Sequence, residues 1–289
     1  MKTSNLLIVC MACLAFSACS KEMDETAEPE INKDPAYPVR ISTRTGGSDI
    51  SKIGLYMVYG DMKGSGNYLN NISLTNNGDG NWTAARNIYW KDNNTAASFI
   101  GYAPFDGSIR NAFEYEFSVR TDQSTTQALE SCDFLWGKVT AQEPTENSID
   151  MMLNHILASV VVKVAPGDGF TEDEFKSGNI SVRLNGFCTN AVINLFDGVF
   201  SDCSSVAAIT PCKEDDLQYT AIVIPQTIAN SGIVAISING SDYTLTRDLT
   251  VISGKRYTLT VTLNKSQGGI NVGIGDWEDD GEDYGGTVN

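Results

Sequence analysis

The stretch that decides the fold class is Ile53-Gly54-Leu55-Tyr56-Met57-Val58-Tyr59, a short apolar run between polar residues. Its length and its β-branched and aromatic residues predict a strand that is covered on both faces. Other segments alternate apolar and polar residues with a period of two, and turn signals such as Asp197-Gly198 separate them. These segments span residues 37–41, 97–102, 113–119, 159–164, 191–196, 219–224, 233–238 and 257–263. Short strands between such turns predict an all-β protein built from antiparallel β-sandwiches.

The charge and the residue types exclude several functional classes. The chain has 36 Asp and Glu against 20 Lys and Arg, for a formal net charge of −16. It therefore offers no basic face for the phosphates of a nucleic acid. His155 is the only histidine, and we expect it to be a hydrogen-bonded structural residue. No G-x-S-x-G, H-E-x-x-H or P-loop pattern occurs, so we expect no enzymatic activity, no metal site and no cofactor.

The first 35 residues have the features of an export signal followed by a tether. Residues 1–18 contain one cation, an apolar run and then small residues, which is the layout of a signal peptide rather than of a transmembrane helix. The segment Phe16-Ser17-Ala18-Cys19 resembles a bacterial lipobox, in which Cys19 becomes the lipidated first residue. The acidic segment 19–35 predicts a flexible tether. Together these features predict an exported lipoprotein of the outer membrane and the cell surface.

A polar stretch that contains a proline, residues 141–148, divides the mature chain. Apolar runs at 149–153 and 156–164 flank this stretch closely, which places a domain boundary within residues 148–156. We predict an N-terminal β-sandwich over residues 36–154 and a C-terminal β-sandwich over residues 155–289. The second domain ends in an acidic tail with six carboxylates between Asp276 and Asp283. Their spacing does not match an EF-hand loop, which favours a solvated tail over a calcium site.

Seven blocks, in order along the chain, resemble the fimbrillin-like family, the subunits of type V pili of Gram-negative gut and oral bacteria. The blocks are the lipobox, Ile53-Gly54-Leu55-Tyr56, Ile88-Tyr89-Trp90 with residues 99–104, Asp133-Phe134-Leu135-Trp136, Leu153-Asn154-His155, residues 222–228 and residues 270–277. The resemblance implies two transthyretin-like β-sandwich domains in tandem and a structural or adhesive subunit of a cell-surface fimbrium. It also implies other fimbrial subunits as partners through β-strand addition, and leaves room for a host or bacterial surface ligand.

Two segments share an apolar triplet at positions i, i+2 and i+4. The triplets are Tyr37, Val39, Ile41 and Ile270, Val272, Ile274. In the resembled family an arginine-specific protease removes the first strand, and the vacated groove accepts a strand from another subunit by β-augmentation. The resemblance therefore implies cleavage after Arg44, with Arg40 as the second candidate, and a donor or acceptor role for both triplets. The alternative is that both segments are ordinary strands of their own sheets.

Aromatic residues provide the rival functional interpretation. The chain has eleven tyrosines and four tryptophans, which could form a platform on which sugar rings stack. The tryptophans are Trp82, Trp90, Trp136 and Trp277. Most of these rings lie in strand-like blocks, where packing in the core is the more common role. A surface glycan-binding lipoprotein that does not polymerise is therefore the alternative function.

Four cysteines remain after export and lipidation, namely Cys132, Cys188, Cys203 and Cys212. Up to two disulfides are possible in an exported protein, and their pairing is open. Cys188 and Cys203 flank the turn at Asp197-Gly198. In the register of a two-residue hairpin loop, however, Cys203 would face Val192 and Cys188 would face Ala207. We therefore expect no bridge between Cys188 and Cys203.

Overall fold

The structure is a computed structural model that describes residues 36–45, 50–78, 81–265 and 272–274. The predicted signal peptide (residues 1–18), the lipidated Cys19, the tether (19–35), Ile270 and the acidic tail lie outside the described residues and stay predictions.

Strands make up nearly all of the regular structure in the described residues, which confirms the predicted all-β fold class. Two short helices, α1 and α2, interrupt the strands, and no helix in the described ranges is long and apolar enough to cross a membrane. The elements are β1 (Arg40–Thr45), β2 (Lys52–Val58), β3 (Leu69–Asn76), β4 (Asn81–Ala84), β5 (Ala97–Ala103), β6 (Tyr115–Ser118), α1 (Thr126–Glu130), β7 (Leu135–Gln142), β8 (Ser148–His155), β9 (Ala158–Pro166), α2 (Glu172–Ser177), β10 (Ile180–Asn194), β11 (Val199–Ile209), β12 (Cys212–Asp215), β13 (Gln218–Val223), β14 (Gln226–Ile238), β15 (Ser241–Val251), β16 (Arg256–Leu263) and β17 (Val272–Ile274).

Seven strands of the N-terminal half form a closed sheet in the order β1-β4-β3-β2-β5-β7-β8, in which β8 pairs again with β1. Alternate side chains of each strand point into the closed sheet, because successive residues of a strand face opposite sides. Ile53, Leu55 and Met57 of β2 therefore lie in one interior core with Trp90 and Phe99. The rings of Trp90 and Phe99 meet edge to face with centroids 5.4 Å apart. This interior is the core to which β1 contributes.

The outer faces of β2 and β5 are covered as well. Tyr56 and Tyr102 point out of the closed sheet into a second core, which they share with the C-terminal sheets. The ring of Tyr102 stacks on Phe134 with centroids 5.6 Å apart, and its hydroxyl donates a hydrogen bond to Asn71 Oδ1 at 2.6 Å. Leu55 and Tyr56, which face opposite sides, are 0% and 1% exposed. The prediction that residues 53–59 form a strand covered on both faces is confirmed for β2.

Two further sheets form the C-terminal half. One has the order β11-β10-β14-β15, with β6 also paired to β10, and the other has the order β12-β13-β9-β16-β17. Apolar side chains of both sheets belong to the same buried core. Although β6 falls within the predicted N-terminal domain, it pairs with β10 from Asn190 to Ile193. The boundary between residues 154 and 155 and the tandem transthyretin-like arrangement stay predictions.

The turn between β10 and β11 packs against β7 of the closed sheet. The indole Nε1 of Trp136 donates a hydrogen bond to the Leu195 carbonyl at 2.8 Å, and Lys138 Nζ donates to the Phe196 carbonyl at 3.0 Å. Gly198 has a φ of 71°, and a Cβ at this position would lie 2.8 Å from Trp136 Cδ2. A glycine is therefore required here both by the left-handed backbone and by the close approach of the indole.

The expectation about Cys188 and Cys203 was wrong, because the structure joins them in a disulfide with their Cα atoms 5.8 Å apart. That expectation assumed an uninterrupted hairpin register, but the β10–β11 ladder shifts twice, and Cys188 opposes Val206 instead of Ala207. Asp202 and Ser205 have φ values of 52° and 59°, which is the backbone of an irregular, bulged strand. Such irregularity changes which residues of β11 approach Cys188. The other two cysteines, Cys132 and Cys212, are buried and form no disulfide.

Candidate functional site

The strand β1 completes the closed sheet by pairing with two strands that are distant in sequence. It runs antiparallel to β4, with Ile41 opposite Trp82, and parallel to β8, from Arg40 opposite Ser148 to Thr45 opposite Leu153. Each strand in a ladder satisfies the backbone N–H and C=O groups of its neighbours. Removal of β1 would therefore leave β4 and β8 with unpaired backbone edges and open the interior core between them.

The pairing extends to the residues that precede β1. The Val39 amide donates a hydrogen bond to the Ile88 carbonyl at 2.8 Å, and the Trp90 amide donates to the Tyr37 carbonyl at 2.9 Å. The Tyr37 amide donates in turn to Asn93 Oδ1 at 3.0 Å. Residues 37–45 therefore occupy one continuous groove, which we call the β1 groove. Its walls are β4 with residues 88–90 on one side and β8 on the other.

The side chains of the first apolar triplet lie together in this groove. Val39 and Ile41 are 8% and 2% exposed and belong to the interior core of the closed sheet, and Tyr37 packs partly buried against the same core. Sequence reasoning identified this triplet but did not assign the groove walls to it. The wall residues are Trp82, Ile88, Trp90, Ile149, Met151 and Leu153. The alternation Ile149, Met151, Leu153 signals a strand, although nothing local shows that its partner is β1.

The two arginines proposed for processing occupy different places on β1. Arg40 lies at the start of the strand opposite Ser148, is exposed, and donates a hydrogen bond from Nη1 to the Glu146 carbonyl at 2.6 Å. Arg44 lies near the end of the strand, opposite Met152. A cut after Arg44 would separate the whole triplet from the rest of the chain, whereas a cut after Arg40 would leave Ile41 attached to β2.

The second triplet lies in a different sheet. Residues Val272–Ile274 form β17, which pairs antiparallel with β16, so that Val272 is opposite Leu263 and Ile274 is opposite Val261. Ile270 lies outside the described residues. The structure thus brings Tyr37, Val39 and Ile41 together but does not bring β17 to the β1 groove.

Three buried polar atoms in the β1 groove have no hydrogen-bond partner within the described part of the chain. They are Thr43 Oγ1 on β1, Trp82 Nε1 on β4 and Trp90 Nε1 on the segment that follows β4. Trp82 and Trp90 are 6% and 1% exposed, so both indoles are core residues. Sequence reasoning had no signal for these unpaired groups, because they depend on how side chains from separate strands meet.

The tryptophans do not form an exposed platform in the described residues. Trp82 and Trp90 are buried, Trp136 is held through its ring nitrogen against Leu195, and Trp277 lies outside the described residues. Tyr68 is exposed beside the closed sheet, whereas Tyr59 is half-buried. Tyr59 and Tyr68 meet edge to face with centroids 5.1 Å apart, and Lys91 Nζ lies 5.7 Å from the centre of the Tyr59 ring.

His155 ends β8 and forms a contact with Asp133. Its Nδ1 lies 2.6 Å from Asp133 Oδ2, and this hydrogen bond raises the pKa of the imidazole, although burial opposes the shift. The arrangement fits the structural role expected for His155. Its position opposite Leu135 links the ends of β7 and β8.

A cleft of about 710 Å³ lies at the end of the closed sheet near α1. Its lining includes Lys52, Pro104, Glu130 and Asp133. No group of three or more His, Cys, Asp or Glu side chains in the described ranges could hold a metal ion. The cleft therefore offers two acidic side chains and one basic side chain, but its described residues hold no metal-ligand set.

Several solved structures of bacterial proteins have a fold similar to that of this chain. A Bacteroides uniformis protein assigned to cell adhesion is 19% identical with a TM-score of 0.65, over 84% of this chain and 98% of that one. A Bacteroides ovatus protein with the same assignment is 18% identical with a TM-score of 0.67, over 85% and 98%. The tip fimbrial protein Mfa3 of Porphyromonas gingivalis is 8% identical with a TM-score of 0.53, over 83% and 99%. At these identities the likeness shows the fold alone.

Sequence comparison gives the family. No curated protein sequence matches this chain significantly. The sequence profile of the fimbrillin-like family, however, matches residues 41–277, which is most of the chain and includes both the closed sheet and the two C-terminal sheets. This chain therefore belongs to the fimbrillin-like family.

Proposed function

We propose that this protein is a structural or adhesive fimbrial subunit that loses its first strand by proteolysis and then accepts a strand from another subunit in the β1 groove. Membership in the fimbrillin-like family supports the role as a fimbrial subunit and a location at the cell surface. The observation that carries the strand-exchange mechanism is the position of β1. This strand lies between β4 and β8, and its apolar side chains fill part of the interior core.

The groove provides the two forms of recognition that β-augmentation requires. Free backbone groups on β4 and β8 would bind the main chain of an incoming strand, and the core would take its alternate side chains. Burial of aliphatic side chains such as Val39 and Ile41 contributes roughly 1.5–3 kcal/mol each, before the cost of ordering the strand. An incoming strand with apolar residues at alternate positions would recover this free energy.

Arg44 is the bond that we propose for processing by an arginine-specific protease. A cut there removes Tyr37, Val39 and Ile41 together, as the exchange requires. Arg40 is the less suitable site, because it lies opposite Ser148 in the β1–β8 ladder and its guanidinium donates a hydrogen bond to the Glu146 carbonyl. A cut at Arg40 would leave Ile41 through Thr45 in the groove.

The anchoring that we propose is a lipid on Cys19, which would hold the precursor in the outer membrane at the cell surface. The supporting features are the lipobox at residues 16–19 and the acidic segment that follows. We also propose that the C-terminal triplet serves the chain's own sheet, because Val272 and Ile274 pair with β16. A subunit of this kind would accept a strand without donating one, which suits a terminal position in the fibre.

The experiment that tests this proposal treats the purified precursor with an arginine-specific protease and follows its size. We expect a cut after Arg44, followed by an SDS-resistant complex when a second fimbrial subunit is added. Arg44→Ala should block both steps, whereas the matched variant Arg40→Ala should leave them unchanged. Cleavage and assembly of Arg44→Ala at the rate of the unmodified chain would refute the assigned site.

The alternative function is a surface glycan-binding lipoprotein that does not polymerise. The observation that favours it is the contact between the exposed Tyr68 and the half-buried Tyr59, with Lys91 above the Tyr59 ring, since aromatic faces stack on sugar rings. A glycan array distinguishes the two functions. Saturable binding that is lost in Tyr68→Ala, together with a chain that stays monomeric after protease treatment, would favour the alternative.

A further inference from the structure

The β1 groove contains hydrogen-bond donors that its present occupant leaves unsatisfied. Trp82 Nε1 and Trp90 Nε1 are buried without a partner in the described residues, and Thr43 Oγ1 is also unpartnered. An indole N–H can only donate a hydrogen bond, and a buried donor without an acceptor destabilises the fold. The chain's own strand is therefore an imperfect occupant of the groove.

The positions of the indoles relate directly to individual residues of the strand. Trp82 is the residue opposite Ile41 in the β1–β4 ladder, and the backbone of Trp90 is bonded to Tyr37. In an antiparallel pair, side chains on opposite residues of the same face are close neighbours. Ile41 is a hydrocarbon and offers no acceptor to Trp82. Thr43 lies two residues further along the same face, and its hydroxyl does not bond Trp82 either.

We infer that the strand accepted by this groove comes from a different subunit and carries a hydrogen-bond acceptor at the position that faces Trp82. The acceptor would be the neutral side chain of Asn, Gln, Ser or Thr in place of Ile41, because an unpaired carboxylate is costly to bury in a core position. This inference rests on the proposed function, because the groove becomes free only when β1 leaves. An acceptor at that position would satisfy the indole N–H that Ile41 leaves unpaired.

A second copy of this chain does not fit the requirement. Its candidate donor residues, Ile270, Val272 and Ile274, are all aliphatic, so they would leave Trp82 unpaired as Ile41 does. The pairing of β17 with β16 in the chain's own sheet also argues against a second copy as the donor. The groove is therefore specific for a heterologous strand of mixed character, with apolar residues at most inward positions and one polar residue opposite Trp82.

A double-mutant cycle in the intact chain tests the acceptor position without any strand exchange. Ile41→Gln places an amide oxygen opposite Trp82, and Trp82→Phe removes the N–H but keeps an aromatic ring. Ile41→Gln should raise the equilibrium constant of unfolding in both backgrounds. We expect this rise to be about fivefold smaller with Trp82 than with Phe at position 82, because only Trp82 can donate a hydrogen bond to the new amide oxygen. Urea unfolding of the four proteins measures this coupling.

Ile149→Gln is the matched control for this cycle. Ile149 lies opposite Ile41 on the β8 side and has nearly the same exposure, 3% against 2%. It does not pair with Trp82, so its substitution should show no coupling to Trp82→Phe. Absence of coupling at position 41, or equal coupling at position 149, would overturn the inference.

Strand binding gives the second measurement and separates the inference from the proposed function. Protease-treated chain is titrated with synthetic peptides of residues 37–44 that carry either Gln or Leu in place of Ile41. We expect Trp82→Phe to lower the affinity of the Gln peptide relative to the Leu peptide about fivefold, and an unchanged ratio of the two affinities would overturn the inference. Binding of neither peptide, with the coupling at position 41 intact, would refute strand exchange while the polar preference of the groove stands.

Discussion

Replacement of Ile41 by alanine perturbs the closed sheet at the centre of β1. Ile41 is 2% exposed, and its neighbours across the two ladders, Trp82 and Ile149, are 6% and 3% exposed. Both neighbours belong to paired strands and cannot move far into the space left by the smaller side chain. Truncation of a buried isoleucine in such a setting costs about 2–5 kcal/mol. We expect about 3 kcal/mol for Ile41→Ala.

Urea unfolding followed by tryptophan fluorescence measures this effect, because Trp82 lies directly beside the substituted residue. The free energy of unfolding should fall while its dependence on urea concentration stays the same, since the surface exposed on unfolding hardly changes. Ser42→Ala is the matched control on the neighbouring residue. Ser42 points to the other face and is only partly buried, so we expect a change within about 0.5 kcal/mol.

Equal effects of the two substitutions would refute the reasoning. That result would mean that β1 does not contribute to the interior core, and that its removal would open no groove. A loss of several kcal/mol confined to Ile41→Ala would instead confirm that β1 is a core strand.

Three further changes test other parts of the structure. Gly198→Ala should lower the free energy of unfolding by about 1–2 kcal/mol for the left-handed backbone, and further because the new Cβ would lie 2.8 Å from an indole carbon. Gly240→Ala, at φ 83° with open space around it, should lower it by the backbone cost alone. Urea unfolding of the two variants compares these costs. Cys203→Ser should lower stability by about 3 kcal/mol and make the melting temperature insensitive to reductant. Asp133→Asn should destabilise the protein below pH 6.5, because the carboxylate stabilises the protonated imidazole of His155 in the folded state. The loss should shrink as the pH rises through the elevated pKa of His155. A pH series of melting curves measures this, and a loss that does not depend on pH would contradict it.

Local sequence patterns were sufficient for the strands but not for their long-range partners. The dense run at residues 53–59 predicted a strand covered on both faces, because period and residue type are local properties. The alternation of Tyr37, Val39 and Ile41 likewise predicted their shared burial. The parallel pairing of β1 with β8 joins residues more than a hundred positions apart, and no local pattern specifies such a partner.

Irregular backbone explains what the sequence could not predict about the disulfide. Hairpin arithmetic places Cys188 opposite Ala207, but the shifted ladder places Val206 there instead. The left-handed residues Asp202 and Ser205 lie within this irregular strand. Aspartate and serine, unlike glycine, are not specific signals for a bulge. The register of the β10–β11 ladder could therefore not be predicted from the sequence.

The most direct test of the account asks whether the groove left by β1 takes up a strand. Full-length chain is cleaved after Arg44, and a labelled peptide of residues 37–44 is added to the cleaved and to the intact protein. The account predicts saturable binding to the cleaved chain alone, with renewed protection from hydrogen exchange for backbone amides of β4 and β8. Equal labelling of both proteins, or a cleaved chain that stays folded and binds no strand, would contradict it.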